Sequence, residues 1–257
     1  VFNIFNTLLL FPFVGVFERV LSRIGHDPSE DVEDYSLPKH LAADLRGDVA
    51  RGVPALRREI ERHLAAGTIY IDIARGKPDA PRDPQAHHVN LGNLSRDIGV
   101  FASTLLKPGQ PYGQADLVAS LIEEADFTES LGETLHQIAR RVKSEEFSPS
   151  GREVVDGILD QVSDAMTIVL PDAVRTATAV AADQRISGLA ELRRRCLKLD
   201  TLAPTERGSL LAILGSAERA FLLIERIDEE RRSVDRDTVV ERPADVVPGI
   251  EPRPATA

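Results

Sequence analysis

Residues 68–73, Thr68-Ile69-Tyr70-Ile71-Asp72-Ile73 (TIYIDI), decide the fold class of this chain. Read alone, the run is rich in β-branched and aromatic side chains and has the composition of a short strand. Its surroundings carry a different period. Leu56, Ile60, Leu64, Gly67, Ile71 and Ala74 recur at spacings of three and four, the period of one helix face, and the series passes straight through the run. The longer pattern predicts a helix, with Pro54 near its start.

The same period continues along most of the chain. Pro78, Pro81 and Pro84 break it, after which Leu91, Leu94, Ile98, Phe101 and Leu105 mark a second helix. KPGQPYG (107–113) is a turn, and a long third helix carries Leu117, Leu121, Thr128, Leu131, Leu135, Ile138 and Val142 on one seam. SPSGRE (148–153) reads as a helix start, with Pro149 in the first turn and Ser150 and Glu153 at capping-box spacing. Val155, Ile158, Val162, Ala165 and Val169 follow as a fourth helix that Pro171 should kink or end. Leu189, Leu192, Cys196 and Leu199 mark a fifth, and Leu210, Leu214, Ala217, Phe221 and Ile224 a sixth opened by Pro204. Each seam must be buried against neighbours, so two consecutive three-helix bundles packed side by side satisfy the pattern most simply.

Composition narrows the function. The 257 residues include 31 basic and 41 acidic side chains, a net charge of −10, which argues against a general nucleic-acid binder. The lone Cys196 excludes an intrachain disulfide and a cysteine zinc site, and reads as a small core residue. No glycine-rich nucleotide loop and no His-Glu-x-x-His pattern is present.

The two ends differ from the middle. Residues 1–17 are apolar except for Asn3, Asn6, Thr7 and Gly15, and Arg19 and Arg23 follow. No basic residue precedes them and no small-residue cleavage site follows, which argues against a secretory signal. A buried core helix and the last part of a transmembrane helix both suit the length, and the aromatic and basic residues toward its end favour the membrane. HDPSEDVEDYSLP (26–38) is acidic, has no apolar period and reads as a linker. DEERRSVDRD (228–237) loses the period, and the Pro-rich residues after it read as a disordered tail. The expected organisation is thus the end of a last transmembrane helix (1–24), an acidic linker (25–38), a first bundle (39–145), a second bundle (146–228) and a tail (229–257).

One polar constellation stands out. In ADFTESLGETLHQIARRV (125–142), Asp126, Glu129, Glu133 and His136 are spaced three, four and three apart and share a helix face. Three carboxylates and an imidazole suit a divalent cation. The plainer reading is a solvated acidic face. Glu133-x-x-His136 matches the spacing of a carboxylate di-iron helix, but no second Glu-x-x-His occurs, so no enzyme is expected. His87 and His88 follow a proline-rich loop with no carboxylate at ligand spacing and are expected at the surface.

The order of these features resembles the C-terminal part of bacterial sodium/phosphate symporters, the type II sodium-dependent phosphate cotransporters with an attached PhoU-like domain. FNTLLLFPFVGVFERVL (5–21) is similar to that family's last membrane helix, with Phe5-Asn6 at the end of its signature. PhoU-like bundles each carry an acidic motif of the form Glu-Arg-Ile-Gly-Asp. Glu129-Ser130-Leu131-Gly132-Glu133 resembles the first, and Glu218-Arg219-Ala220-Phe221-Leu222 the second, with Leu222 in place of its last carboxylate. The resemblance implies an all-α, PhoU-like domain regulating phosphate uptake at a cell inner membrane, with residues 25–257 cytoplasmic. It implies an upstream transport domain, sodium and phosphate as ions of the full protein, and a divalent metal at the first motif, with Glu218 the most the second bundle could add. A soluble PhoU-like phosphate-signalling adaptor, with residues 1–24 as a docking helix, is the alternative. A second copy of the chain is a further candidate partner.

Overall fold

The computed structural model describes residues 33–81, 83–170 and 182–239, with 182–186 and 234–239 as backbone only. After a single 3-10 turn at Ala43–Leu45 come six helices: α1 (Val49–Arg75), α2 (Pro84–Leu105), α3 (Tyr112–Ser144), α4 (Pro149–Met166), α5 (Ala182–Lys198) and α6 (Pro204–Val239). Among the described residues there is no strand. Residues 1–24, read above as a membrane helix, lie outside the described residues, as do Pro171 and residues 240–257. No helix among the described residues is long and apolar enough to cross a membrane.

The run at 68–73 is helical. Tyr70, Ile71, Ile73 and Ala74 are buried together, a helix-like grouping that strand alternation cannot produce. The Thr68 hydroxyl donates to the Ala65 carbonyl one turn back, at 2.7 Å, so its polar group is satisfied inside the helix. α1 begins at Val49, capped by Asp48, whose carboxylate accepts from Arg51 N at 3.2 Å. Pro54 lies near the start of this helix, as expected, but inside its hydrogen-bonded ladder. The helix stops at Gly76, whose φ of 70° is the left-handed conformation that glycine adopts at least cost.

The α4 start differs in its chemistry from the expected capping box. Ser148 is the cap and accepts from Gly151 N at 3.1 Å. The reciprocal carboxylate comes from Glu206 of α6, which accepts from both Ser148 N and Oγ at 2.8 Å. Glu153 instead pairs with Arg195 on α5. α4 ends at Met166, and Val169 is buried in the turn that follows. Cys196 is fully buried, as a small core residue should be.

The three-plus-three arrangement holds, but the two bundles share their interior. α3 and α6, the third helix of each, form the most extensive helix pair. One core contains Leu56, Ile60, Leu94, Ile98, Phe101, Leu105, Val118 and Leu121, from α1, α2 and the first half of α3. The larger core joins Tyr70, Ile73, Leu131, Leu135 and Ile138 of the first bundle to Ile158, Val162, Leu214 and Ile224 of the second.

Two boundaries move. The expected tail is helical from 229 to Val239. The apolar period fades there, but charge pairs carry the helix: Arg226 with Glu229 at 3.0 Å, and Arg232 with Asp228. Arg231 Nε reaches back to buried Glu124 on α3 at 2.6 Å and ties this segment to the first bundle. The described part of the acidic linker is docked. Glu59 on α1 is wholly buried, and its Oε2 accepts from the backbone N–H of Lys39 at 3.0 Å and of His40 at 2.7 Å. Arg62 donates to Glu59 (2.6 Å), Glu33 (2.7 Å) and the carbonyls of Asp34 (2.6 Å) and Leu37 (3.1 Å). Its guanidinium lies 4.9 Å from the Tyr35 ring centre.

Candidate metal centre in the cleft between the bundles

A cleft of about 390 Å³ opens where α1, α2, α3 and α6 meet. His63 and Tyr70 from α1, His88 from α2, Glu129 and Glu133 from α3 and Arg219 from α6 line it. The helical period places these side chains. Tyr70 lies two turns beyond His63, and Glu133 one turn beyond Glu129. On α2, the apolar seam Leu91–Leu94–Ile98 continues one turn backwards onto His87 and His88.

Both histidines thus differ from the expected surface pair. His87 is buried, and its Nε2 lies 3.0 Å from the Ala66 carbonyl, an acceptor, so Nε2 carries the proton. His88 is half-buried with Nε2 3.4 Å from Glu133 Oε2. Its ring stacks on His136, with centres 4.2 Å apart and planes 10° apart. His136 Nδ1 lies 4.0 Å from the same Glu133 oxygen. His88, Glu133 and His136 each present a ligand atom within 4.8 Å of the others.

Electrostatics favour neutral imidazoles here. Burial, with His88 beside it, holds His136 below its ordinary pKa. Burial holds His87 low as well. Burial, then the neighbouring His87 and Arg62, push His63 down to about 4. Burial and the nearby Glu133 charge raise the Tyr70 phenol well above its usual range. Neutral imidazole is the form that binds a metal.

The other expected ligands are placed differently. Glu129 lines the cleft, but its Oε2 accepts from Ser95 Oγ of α2 at 2.7 Å and it stands outside the close trio. Asp126 is exposed, and partial desolvation of its carboxylate, then its neighbours Glu129 and Glu123, raise its pKa. Glu218 is also exposed and accepts twice from Arg193 Nη2, at 2.7 Å each. Leu222 is exposed. The second bundle contributes Arg219 to the cleft, one residue past the carboxylate that the motif comparison singled out. His88, His63 and Tyr70 were not among the expected site residues. Extending the α2 seam backwards by one turn is the signal that would have found His88.

These residues fit a divalent cation: two imidazoles and a carboxylate converge, and neither ring nitrogen of buried His136 has a hydrogen-bond partner in the protein. No protein-family model matches this chain, and neither does any curated protein or solved structure.

Proposed function

We propose that this chain is the C-terminal part of a sodium-dependent phosphate symporter, and that its helical portion is a PhoU-like regulatory domain that adjusts phosphate uptake. The observation that carries the reading is the docking of residues 33–40 on α1 by Glu59 and Arg62. This is the stretch that joins the bundles to apolar residues 1–24. It is also in contact with the cleft's surroundings: Tyr35 meets the edge of His87 with ring centres 5.9 Å apart, His87 meets Tyr70 at 4.9 Å, and Tyr70 meets His136 at 5.4 Å. A state of the cleft that shifts this row of rings changes how the joining segment sits. That gives a helical domain a physical means of acting on what precedes it.

The test uses the full reading frame expressed in cells lacking their own phosphate carriers. Sodium-driven phosphate uptake is measured for the natural protein and for Tyr35→Leu and Arg62→Ala. The expected result is intact transport whose response to phosphate supply is lost in both variants. Release of the protein from membranes by an alkaline wash would exclude an integral carrier and leave the soluble adaptor, with residues 1–24 as its docking helix. Unaltered regulation in both variants would remove the joining segment from the mechanism.

A further inference from the structure

We propose that His88, Glu133 and His136 form a mononuclear site for a divalent transition-metal ion of the zinc or iron(II) class. This is a different donor set from a carboxylate pair on α3, because it draws one imidazole from α2 and leaves Glu129 to Ser95. It also stands apart from what the domain regulates, since it concerns the cleft alone.

Geometry supports it first. Two ligands each about 2.1 Å from a tetrahedral metal lie about 3.4 Å apart. His88 Nε2 and Glu133 Oε2 already have that separation, 3.4 Å. His136 Nδ1 is 4.0 Å from the same oxygen, and because the two rings stack with planes 10° apart, the partly exposed His88 ring must turn out of the stack for both nitrogen lone pairs to meet one ion. Gln137 Nε2 donates to Glu133 Oε1 at 2.8 Å and holds the carboxylate with Oε2 left to the histidines. An oriented carboxylate of this kind is what a metal ligand requires.

The second, independent observation is the state of His136. Its residue is only 5% exposed, and both ring nitrogens are buried without a partner in the protein. A buried polar atom left unpaired is costly and calls for a specific explanation. Histidine is ordinarily satisfied by a carbonyl, as His87 is by Ala66. Here the nearest polar atoms with which it is grouped are themselves ligand types. A metal bound at Nδ1 takes the electron pair that nothing else in the protein uses and leaves Nε2 to carry the proton. Tyr70, lining the same cleft, has a buried hydroxyl that is likewise without a protein partner, and a metal-bound water would supply one.

Ligand chemistry sets the class of ion. Calcium and magnesium prefer all-oxygen shells, whereas two imidazoles with one carboxylate suit zinc, iron(II), cobalt or nickel. Three protein ligands leave a coordination position open to water or to an anion entering the cleft.

The experiment is equilibrium dialysis of the full chain against zinc at about pH 7.5, with elemental analysis, and cobalt(II) titration followed by visible absorption. The natural protein should take up zinc in a one-to-one ratio, unaffected by millimolar magnesium. His88→Gln and Glu133→Gln should each weaken binding at least about tenfold and abolish the cobalt band. Both side chains are partly exposed, so both variants should keep the helical circular-dichroism spectrum. His40→Gln, remote from the trio, should bind as the natural protein does. Zinc uptake that is absent in the natural protein, or that survives in both His88→Gln and Glu133→Gln, would overturn the assignment. Zinc binding that has no effect on phosphate uptake would leave the site standing and separate it from the regulatory reading.

Discussion

His63 makes the interior of this protein acid-sensitive in a calculable way. It is 3% exposed, and burial together with His87 and Arg62 holds it at about 4, against an ordinary value of 6.5. The unfolded chain therefore takes up a proton below about pH 6.5 that the folded chain refuses until about pH 4. A depressed histidine contributes its full stability above the unfolded value and loses it as pH falls toward the folded one. The loss from this residue is on the order of 2–3 kcal/mol at about pH 4.5 and about 3 kcal/mol once both states are protonated. Other ionisable groups add to the overall pH dependence of stability, so the comparison must be with His63→Gln, which keeps polarity and removes the titration. Urea unfolding of both proteins at about pH 7 and about pH 4.5 isolates the effect. The natural protein should be the more stable at neutral pH, and its advantage should shrink or reverse by roughly 2–3 kcal/mol at the lower pH. A stability difference between the two that does not change with pH would show that His63 is not held neutral by burial, and the reasoning would fail.

Three further outcomes follow from the packing. Glu59→Ala should destabilise by roughly 3 kcal/mol, because it leaves Arg62 and two backbone N–H groups without their buried acceptor, and should expose the Lys39 peptide bond to trypsin. Gly52→Ala should cost about 1–3 kcal/mol, since its Cβ would lie 2.6 Å from Leu105 Cδ2, whereas Gly99→Ala, with nothing within 4 Å, should gain about 0.5–1 kcal/mol in denaturant titration. Pro54→Ala should raise the melting temperature, as Pro54 is exposed inside α1 and its replacement restores a helical N–H worth up to about 3 kcal/mol.

The helices were legible because their cause is local. The three-four spacing through TIYIDI needs no knowledge of what lies across the chain, and neither do Pro149 and Pro204 at helix starts or the break at Pro78 and Pro81; Pro84, read as part of that break, is instead the first residue of α2. The pairing into two three-helix units was legible from the number of seams. Where reading by apolar period failed, side-chain charge was doing the holding: the helix past residue 228 survives on ion pairs, one of them with Glu124 over a hundred residues earlier. The docked segment at 33–40 was hidden for the same reason, since a run of acidic residues looks solvated until a buried Glu59 and Arg62 are found beneath it.

The candidate site shows the division most clearly. Spacing along α3 correctly puts Glu133 and His136 on neighbouring turns, because 3.6 residues per turn is a property of the backbone alone. Spacing also joins them to Asp126 and Glu129, and cannot say that Ser95 of α2 would take Glu129, that Arg193 would take Glu218, or that His88 would stack on His136. Those outcomes depend on the axial register at which α2 and α6 pack against α3, and a slide of one turn, about 5.4 Å, would replace His88 with a different side chain. Register is set by how the apolar ridges of several helices interlock at once. Helix period is therefore written in each segment by itself, while the grouping of His88, Glu133 and His136 exists only once the bundles have closed.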